Sequence, residues 1–461
     1  MLTGSHSTGI RWRRVWKYAW RIGCIIAGLG IVVLVALSFD DRRMDTTGLR
    51  YVPRLLSETE NGYLVLAKAA DQLGKPDELS GDDFRETLYG RRWDSSQVEA
   101  WLADRDFAIA AIRKVRSFEF GQRPVPGDIY AAYGSQPAVS LPIQLAVLSA
   151  RKHLRVGNTT DATTLLCDAL HAVVLVQGSR GDVLTHVYTL AAHAMAMEAA
   201  YAVISDRRTS IEDCWRLGDQ ISRSRPARED FLQMLAADLR IKELLVEALA
   251  HPQNLQGDWK MGRLDSIGYR IPFLYKPNRT LNYIIPRYLD YESVIDVPFN
   301  AMRSKRALAE KEHSDLCELH GEWLNGYGKR AAHDLLAPAL GGLLRSRLNQ
   351  QTNCSIGESL VALRRYHEAT SGQLPASLDE MVPDYLSSVP MDYADGLPLK
   401  YSKEMKALWS AGEKHFTLSS GDQEVAKEVM IVPVRFHVSY SPWKQIVPDQ
   451  SEKGAGGFWS Q

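Results

Sequence analysis

The centre of the chain reads LPIQLAVLSARKHL at 141–154, TDATTLLCDALHAVVLV at 160–176 and DVLTHVYTLAAHAMAMEAAYAVI at 182–204. Apolar residues recur in these segments every three or four positions, which is the period of an α-helix. Short breaks such as Gly157-Asn158 predict that consecutive helices pack as antiparallel neighbours. The third segment is apolar enough to span a membrane, but His186, His193 and Glu198 predict a buried core helix instead.

The same helical period extends on both sides, so residues 45–355 are predicted to form one multi-helix domain. Ser57 followed by Glu60 has the spacing of a capping box and predicts a helix start, and the serines at 95 and 96 predict another. Further helices are predicted at 211–221, 229–250, 298–324 and 330–348. The pair 141–154 and 160–176 resembles a tetratricopeptide hairpin, but its motif residues do not repeat with a period of about 34 residues. A superhelical array is therefore the minority alternative.

Between residues 251 and 297 the helical pattern fails. Tyrosines crowd together there with Pro272, Pro277 and Pro286. This composition predicts a long ordered loop whose aromatic rings pack against the helices. The alternative is a partner-binding surface, since Tyr, Arg and rigid proline suit interfaces.

An uncharged segment lies near the start of the chain. Residues 22–39 are 18 residues rich in Ile, Val, Leu, Ala and Gly. As a helix rising about 1.5 Å per residue, they would extend roughly 27 Å, close to the thickness of the hydrocarbon core of a bilayer. Five cations and four aromatic residues precede the segment: Arg11, Trp12, Arg13, Arg14, Trp16, Lys17, Tyr18, Trp20 and Arg21. Such residues favour the cytoplasmic interface, which predicts a cytoplasmic tail at 1–21 and a transmembrane helix at 22–39.

Two other interpretations apply to this segment. Ala36 and Ser38 are spaced like the small residues of a signal-peptide cleavage site, and Arg13-Arg14 weakly resembles a twin-arginine signal. The long basic region and the 18-residue apolar core favour an uncleaved anchor. Four arginines also follow the span. The predicted orientation of the transmembrane helix therefore depends on the five cations that are clustered before it.

The composition excludes several classes of protein. Hydrophobic residues at 45% and charged residues at 24% are ordinary for a folded chain and exclude a disordered or polytopic membrane protein. Lys and Arg (55) balance Asp and Glu (55), so no basic field indicates a nucleic-acid partner. The first 39 residues contain five cations and no acid, so the net charges of the anchor region and the body have opposite signs.

The last hundred residues contain a distinctive string. It reads LRRYHEATSGQLPASLDEMVP at 363–383 and VPMDYADGLPLKY at 389–401. Gly372 is placed to end a helix, Ser377 with Glu380 to cap a short one, and Asp395-Gly396 to form a tight turn. This string resembles the post-helix region of type II secretion major pseudopilins, where a helix gives way to Gly-x-x-Pro and then to a Pro-x-Asp-x-x-x-Gly-x-x-x-x-Tyr hairpin. The module is also similar to the tails of single-pass envelope proteins of Gram-negative bacteria.

The resemblance covers about 60 residues and implies a small α+β module with an antiparallel sheet at 356–440, before a flexible tail at 441–461. A helix is expected at 356–370, and strands at 399–402, 406–410, 415–418 and 430–437, with Pro433 placing the last strand at an edge or bulge. Val361, Leu363, Tyr385 and Trp409 are the expected docking residues. The chain lacks the pseudopilin cleavage site, and Glu413-Lys414-His415 replaces an acidic loop. Fibre assembly and calcium binding are therefore not implied.

No arrangement of side chains marks a catalytic centre, so the catalytic residues are unknown and no cofactor is expected. His313, Cys317 and His320 share a helix face and are weak candidates for a metal site that would still need a fourth ligand. His186 with His193, seven residues apart, is a second candidate pair for metal binding. Cys167 and His171 are one helical turn apart, a spacing that suits a thiolate–imidazole pair. Outside the span, Cys167, Cys214, Cys317 and Cys354 permit two disulfides with three pairings, or four buried thiols.

These features together predict a mainly α protein: an N-terminal transmembrane helix, a multi-helix external domain and the C-terminal α+β module. The expected location is the bacterial inner membrane, single-pass, with the body in the periplasm. The expected partners are the lipid bilayer, through 22–39, and an envelope protein. The expected role is a non-catalytic scaffold or interaction role. The alternatives are an envelope hydrolase whose site assembles from scattered residues, and a helical-repeat binding module.

Overall fold

The computed structural model confirms that the protein is mainly helical, with a small antiparallel sheet towards its C-terminal end. It describes residues 8–74, 79, 81–124, 139–251, 263–272, 274–298, 301, 325–335, 339–410, 414–415, 425–426 and 431–433. The helices are α1 (Thr8–Ser38), α2 (Gly62–Leu73), α3 (Asp82–Leu88), α4 (Ser95–Leu102), α5 (Asp106–Val115), α6 (Ser140–Arg155), α7 (Thr159–Gln177), α8 (Val183–Ser205), α9 (Ile211–Arg223), α10 (Arg228–Leu249), α11 (Arg263–Arg270), α12 (Pro277–Val294), α13 (Gly326–Leu335) and α14 (Ala339–Ala369).

The first hydrophobic core forms around α6, α7 and α8. These are the three segments whose period predicts helices, and each packs on the other two. Leu145, Leu170 and Met197 are fully buried there, as are Leu360 and Leu363 from the second half of α14. Helix α8 packs on α6, α7 and α14, and most of its apolar residues are buried, as predicted for a core helix. Leu184, Val187 and Tyr188, near the start of α8, are exposed.

A second core lies between α10, α12 and the first half of α14. Leu235, Leu239, Ile284, Ile285 and Leu344 fill it. Helix α14 is therefore shared, because its first half packs in this core and its second half in the first one. The sequence predicts separate helices at 330–348 and 356–370, whereas the structure has one helix from 339 to 369 that passes through the predicted domain boundary at 355.

The C-terminal sheet has three antiparallel strands in the order β1 (Lys400–Ser402), β2 (Ala407–Trp409) and β5 (Ile431–Pro433). A separate antiparallel pair joins β3 (Lys414–His415) to β4 (Val425–Ala426). The strands predicted at 399–402 and 406–410 are present. Pro433 lies on an edge strand, as the sequence predicts.

The chain turns after α14 as the glycine pattern predicts. Gly372 has φ of +94° and donates its N–H to the carbonyl of His367 at 2.7 Å. The short 3₁₀ helix Leu378–Met381 follows, but the side chain of Ser377 does not cap it. The predicted capping box does not form, because Glu380 accepts the backbone N–H of Ala376, at 2.6 Å, instead of that of Ser377.

Asp392 attaches the following hairpin to α14. Its buried carboxylate accepts the hydroxyl of Ser410 at 2.9 Å, the N–H of Ala394 at 3.0 Å and, at 3.4 Å, the hydroxyl of Thr352 on α14. Among the expected docking residues, Val361 and Leu363 are buried, whereas Tyr385 and Trp409 are half-buried.

Two helices, α2 and α4, are capped by residues other than the predicted serines. Ser57 and Glu60 hydrogen-bond each other in a turn, but α2 begins only at Gly62, where the side chain of Asn61 accepts the N–H of Tyr63. In the same way Asp94, rather than a serine, caps α4.

The prediction of a long loop at 251–297 is wrong. Residues 263–270 and 277–294 form α11 and α12, and Pro286 lies inside α12. The aromatic rings do pack inward as expected, since Tyr275 and Tyr288 are buried and Tyr269 contacts the rings of Tyr275 and Tyr327. Burial of these rings outweighs the helix-breaking tendency of proline. The predicted helix at 298–324 lies outside the described residues except at Pro298 and Ala301, as does the predicted tail at 441–461.

Among the described residues, two helices are long and apolar enough to cross a membrane by composition, α7 and α8, and 72% and 78% of their apolar windows are buried inside the protein. Helix α1 contains a shorter apolar segment, Ala19–Val33. It covers most of the predicted span at 22–39, and the crossing itself stays a prediction.

Candidate functional site

The chain that leaves α1 is fixed to the body by hydrogen bonds. The carboxylate of Asp40 accepts the backbone N–H of Asn278 at 2.7 Å and that of Arg279 at 3.1 Å. These two N–H groups belong to the first turn of α12, where no helical acceptor exists. A carboxylate at this position also interacts favourably with the helix dipole. Asp40 therefore caps α12 from a distant part of the sequence.

The neighbouring residues extend this attachment. Lys276 donates its ammonium group to the carbonyl of Phe39 at 2.5 Å. Asn282 donates to the carbonyl of Arg42 at 2.9 Å and accepts the N–H of Met44 at 2.8 Å. Arg43 forms an ion pair with Glu243 of α10. We call residues 39–44 the junction, and its contacts attach the end of α1 to the second core.

A layer of polar side chains crosses the interior where α8, α9 and α14 meet. We call it the polar seam and define it as Gln177, His186, His193, Ser224, Arg347, Gln350 and Cys354. Gln177 and Gln350 exchange hydrogen bonds through their amide groups at 2.8 and 3.1 Å. Gln350 also donates to the carbonyl of Ser224 at 3.0 Å. These bonds tie three helices together at one level.

His193, Ser224 and Cys354 bring a thiol, a hydroxyl and an imidazole together. Nε2 of His193 lies 3.1 Å from the hydroxyl of Ser224 and 3.9 Å from the sulfur of Cys354. Burial raises the pKa of the Cys354 thiol to about 12 and lowers the pKa of His193 to about 3. Both groups are therefore neutral near pH 7, whereas a nucleophilic cysteine needs the thiolate. Neither group is in the ionised form of an activated thiolate–imidazole pair, and Nδ1 of His193 has no hydrogen-bond partner among the described residues.

His186 and Arg347 occupy the other end of the polar seam. The His186 ring meets the ring of Phe231 edge-on at 5.6 Å, and the Arg347 guanidinium lies 5.4 Å from the centre of the same ring. Burial and the charge of Arg347 lower the pKa of His186 to about 4. Arg347 is 1% exposed, donates to the carbonyl of Ile295 at 2.7 Å and pairs with Asp296 at 3.2 Å. Its charge thus ties the end of α12 to α14.

Among the buried carboxyl groups outside the polar seam, Glu198 and Asp238 have raised pKa values. Burial raises the pKa of Glu198 to about 7, against the opposing charges of Arg151 and Arg91. Burial also raises the pKa of Asp238, whose carboxylate accepts the hydroxyl of Tyr288. Perturbed carboxyl groups accompany catalysis when they share a site, but these two are held by separate neighbours.

The sequence candidates separate in the structure. The sulfur of Cys167 faces the carbonyl of Arg216, and His171 bonds the carbonyl of Phe118, so they do not form a thiolate–imidazole pair. His313, Cys317 and His320 lie outside the described residues. The described cysteines outside α1, at 167, 214 and 354, are buried free thiols. Within the described part of the chain, no group of three His, Cys, Asp or Glu side chains could hold a metal ion.

On the outer surface, Arg365 contacts two aromatic rings from different parts of the chain, an arrangement that the sequence does not predict. The guanidinium carbon of Arg365, on α14, lies 3.6 Å from the centre of the Trp215 ring and 5.2 Å from that of Tyr385. Trp215 projects from α9 and is 48% exposed. Tyr385 belongs to the C-terminal module and meets the Tyr366 ring edge-on at 5.6 Å. We call Trp215, Arg365 and Tyr385 the arginine–aromatic surface. Of these three residues the sequence suggests only Tyr385, because Trp215 lies 150 residues before Arg365 along the chain.

Comparison with known proteins gives no relative from which a function could be transferred: no family model, no curated protein and no solved structure matches the chain.

Proposed function

We propose that the protein is a membrane-anchored scaffold of the bacterial envelope. In this proposal residues 22–39 cross the inner membrane, residues 1–21 lie in the cytoplasm, and the body lies in the periplasm. The observation that carries the proposal is the exposure of α1. Ile25, Leu29 and Val32 are each at least 60% exposed, on a helix of 31 residues. A helix that leaves so many apolar side chains uncovered is stable when lipid surrounds it.

The interior supports a non-catalytic role. The buried thiol and imidazole of Cys354 and His193 are neutral and bonded to neighbouring groups. Glu198 and Asp238, two carboxyl groups with raised pKa values, interact with different neighbouring groups. The hydrogen bonds of the polar seam join neighbouring helices and fix their relative positions, as a rigid scaffold requires.

The C-terminal module is proposed as the contact part of this scaffold. The turn at Gly372, the short helix at 378–381 and the hairpin around Asp392 follow the order that the pseudopilin resemblance implies. Their attachment to α14 supports a module docked on the helical body and held in one orientation.

The test of the membrane anchor compares matched arginine substitutions in the full chain. Ile25→Arg with Leu29→Arg places two charges in the proposed span, and Leu55→Arg places one on an exposed position of the body. A charge at the centre of a spanning helix costs about 2.5–3.5 kcal/mol. We expect carbonate extraction to release the double variant and to leave the wild type and Leu55→Arg in the membrane pellet.

Protease added to intact spheroplasts tests the orientation. A C-terminal tag should be lost and residues 1–21 should be spared. Release of the wild type by carbonate, or protection of the whole chain from protease, would contradict the proposal.

A further inference from the structure

The arginine–aromatic surface contains a cation, Arg365, whose N–H groups are available to bind an anion. Arg365 forms no hydrogen bond and no ion pair within the described part of the chain, and its recorded contacts are those with the rings of Trp215 and Tyr385. Stacking on an aromatic ring holds a guanidinium by its face, so its N–H groups, which lie in its plane, stay available. Arg365 is therefore oriented but without an anion.

The neighbouring arginines differ from Arg365 in this respect. Arg364 pairs with Glu368 at 3.0 Å, and Arg216 pairs with Asp213 at 3.4 Å. One unpaired cation remains among these three, which matches the single negative charge of a carboxylate. A phosphate group, with up to two charges, is more often bound where several cations converge.

Trp215 adds the second part of the surface. Its indole is about half exposed beside Arg365, and its N–H has no hydrogen-bond acceptor among the residues that the structure describes. Exposed tryptophan, tyrosine and arginine in contact are the residue types that dominate binding energy at protein interfaces. The surface also joins α9, α14 and the C-terminal module, so its geometry depends on the docked body.

We infer that the arginine–aromatic surface binds an acidic segment of a partner protein, with one carboxylate on the Arg365 guanidinium and an adjacent apolar side chain on Trp215. This inference assigns a binding site to the proposed scaffold and identifies the chemistry of the partner that would bind there. It rests on the proposed function. A carboxylate bound by both N–H groups of the fork is held in one plane, which Lys cannot reproduce.

The test measures binding of a fluorescein-labelled peptide, Gly-Leu-Glu-Leu-Glu-Leu-Gly, to the full chain in detergent micelles by fluorescence anisotropy. Arg365→Ala and Arg365→Lys should each weaken binding by at least about tenfold, because a charge-assisted bidentate contact is lost. Trp215→Ala should weaken it several-fold. Arg216→Ala is the matched control, since Arg216 is already paired, and should stay within about twofold of the wild type.

Further measurements separate specific binding from other causes. The same peptide with Gln in place of Glu should not bind the wild type. Circular dichroism should show unchanged helix content in the Arg365→Lys variant, so that its loss of binding does not reflect unfolding. An equal loss in Arg216→Ala, no binding by the wild type, or preferential binding of the matching phosphoserine peptide would each overturn the inference. The assay does not depend on membrane topology, so its failure would leave the proposed anchor standing.

Discussion

Glu198 lies within α8, where the residue is 9% exposed. Its pKa is raised from 4.5 to about 7 by burial, so the folded protein binds a proton that the unfolded chain has released between these pH values. The free energy of unfolding contributed by this group therefore falls as the pH rises from about 4.5 to 7.

Replacing Glu198 with Gln should remove this dependence. We therefore compare the free energy of unfolding of the variant with that of the wild type at each pH. The difference, variant minus wild type, should be roughly 2–3 kcal/mol larger at pH 8 than at pH 4.5. Urea unfolding at the two pH values, followed by circular dichroism, measures the difference. A change of the same size at both pH values would contradict the raised pKa.

Asp40 is the residue on which the junction depends most directly. Asp40→Ala removes the acceptor of two N–H groups in the first turn of α12, a loss of about 1 kcal/mol in typical caps. The junction should then open more often, and trypsin should cut after Arg42 or Arg43 several-fold faster. Asp45→Ala is the control, because the carboxylate of Asp45 bonds its own neighbour Thr47. Equal cleavage rates in the two variants would show that Asp40 does not hold the junction.

At the scale of an element, Gly372 ends α14 with a positive φ. Gly372→Val should lower the free energy of unfolding by about 1–2 kcal/mol, because a branched side chain is strained in this conformation. Gly342→Val is the matched control. Gly342 lies exposed inside α14 with open space where the side chain would be, so its substitution should change stability by less than about 0.5 kcal/mol. A larger loss in the control, measured by thermal unfolding, would contradict the argument.

The elements also show what sequence patterns can and cannot predict. The helices around 141–204 are predicted well because their apolar period and their burial agree. Helix α14 is predicted as two helices because polar residues at 349–353 interrupt the apolar pattern. In the structure residues 350–353 are buried, and Gln350 and Thr352 find partners in Gln177 and Asp392. Those partners lie 173 and 40 positions away, so no local pattern could identify the polar seam.

At the scale of the whole molecule, α14 couples the two hydrophobic cores. Arg347 anchors it to the end of α12, so Arg347→Ala should destabilise both cores together by about 3 kcal/mol. Tryptophan fluorescence, to which Trp93 and Trp101 of the first core contribute, and circular dichroism should shift to lower urea concentration by the same amount. Arg223→Ala, which removes an exposed ion pair with Asp219, should shift neither by more than about 1 kcal/mol. Separate transitions for the two probes would show that the cores unfold independently.

The attachment of residues 39–44 to α12 also determines how the protein would search for a partner. A body on a long flexible linker samples a wide volume, and its effective concentration at any one point falls as the linker lengthens. Here the first hydrogen bond to the body is made by Phe39, one residue after α1 ends. Anchored in a bilayer, the arginine–aromatic surface would therefore sweep a thin layer at a fixed height above the membrane. Within that layer its effective concentration is high, and a partner would be selected by the height of its acidic segment as well as by its chemistry.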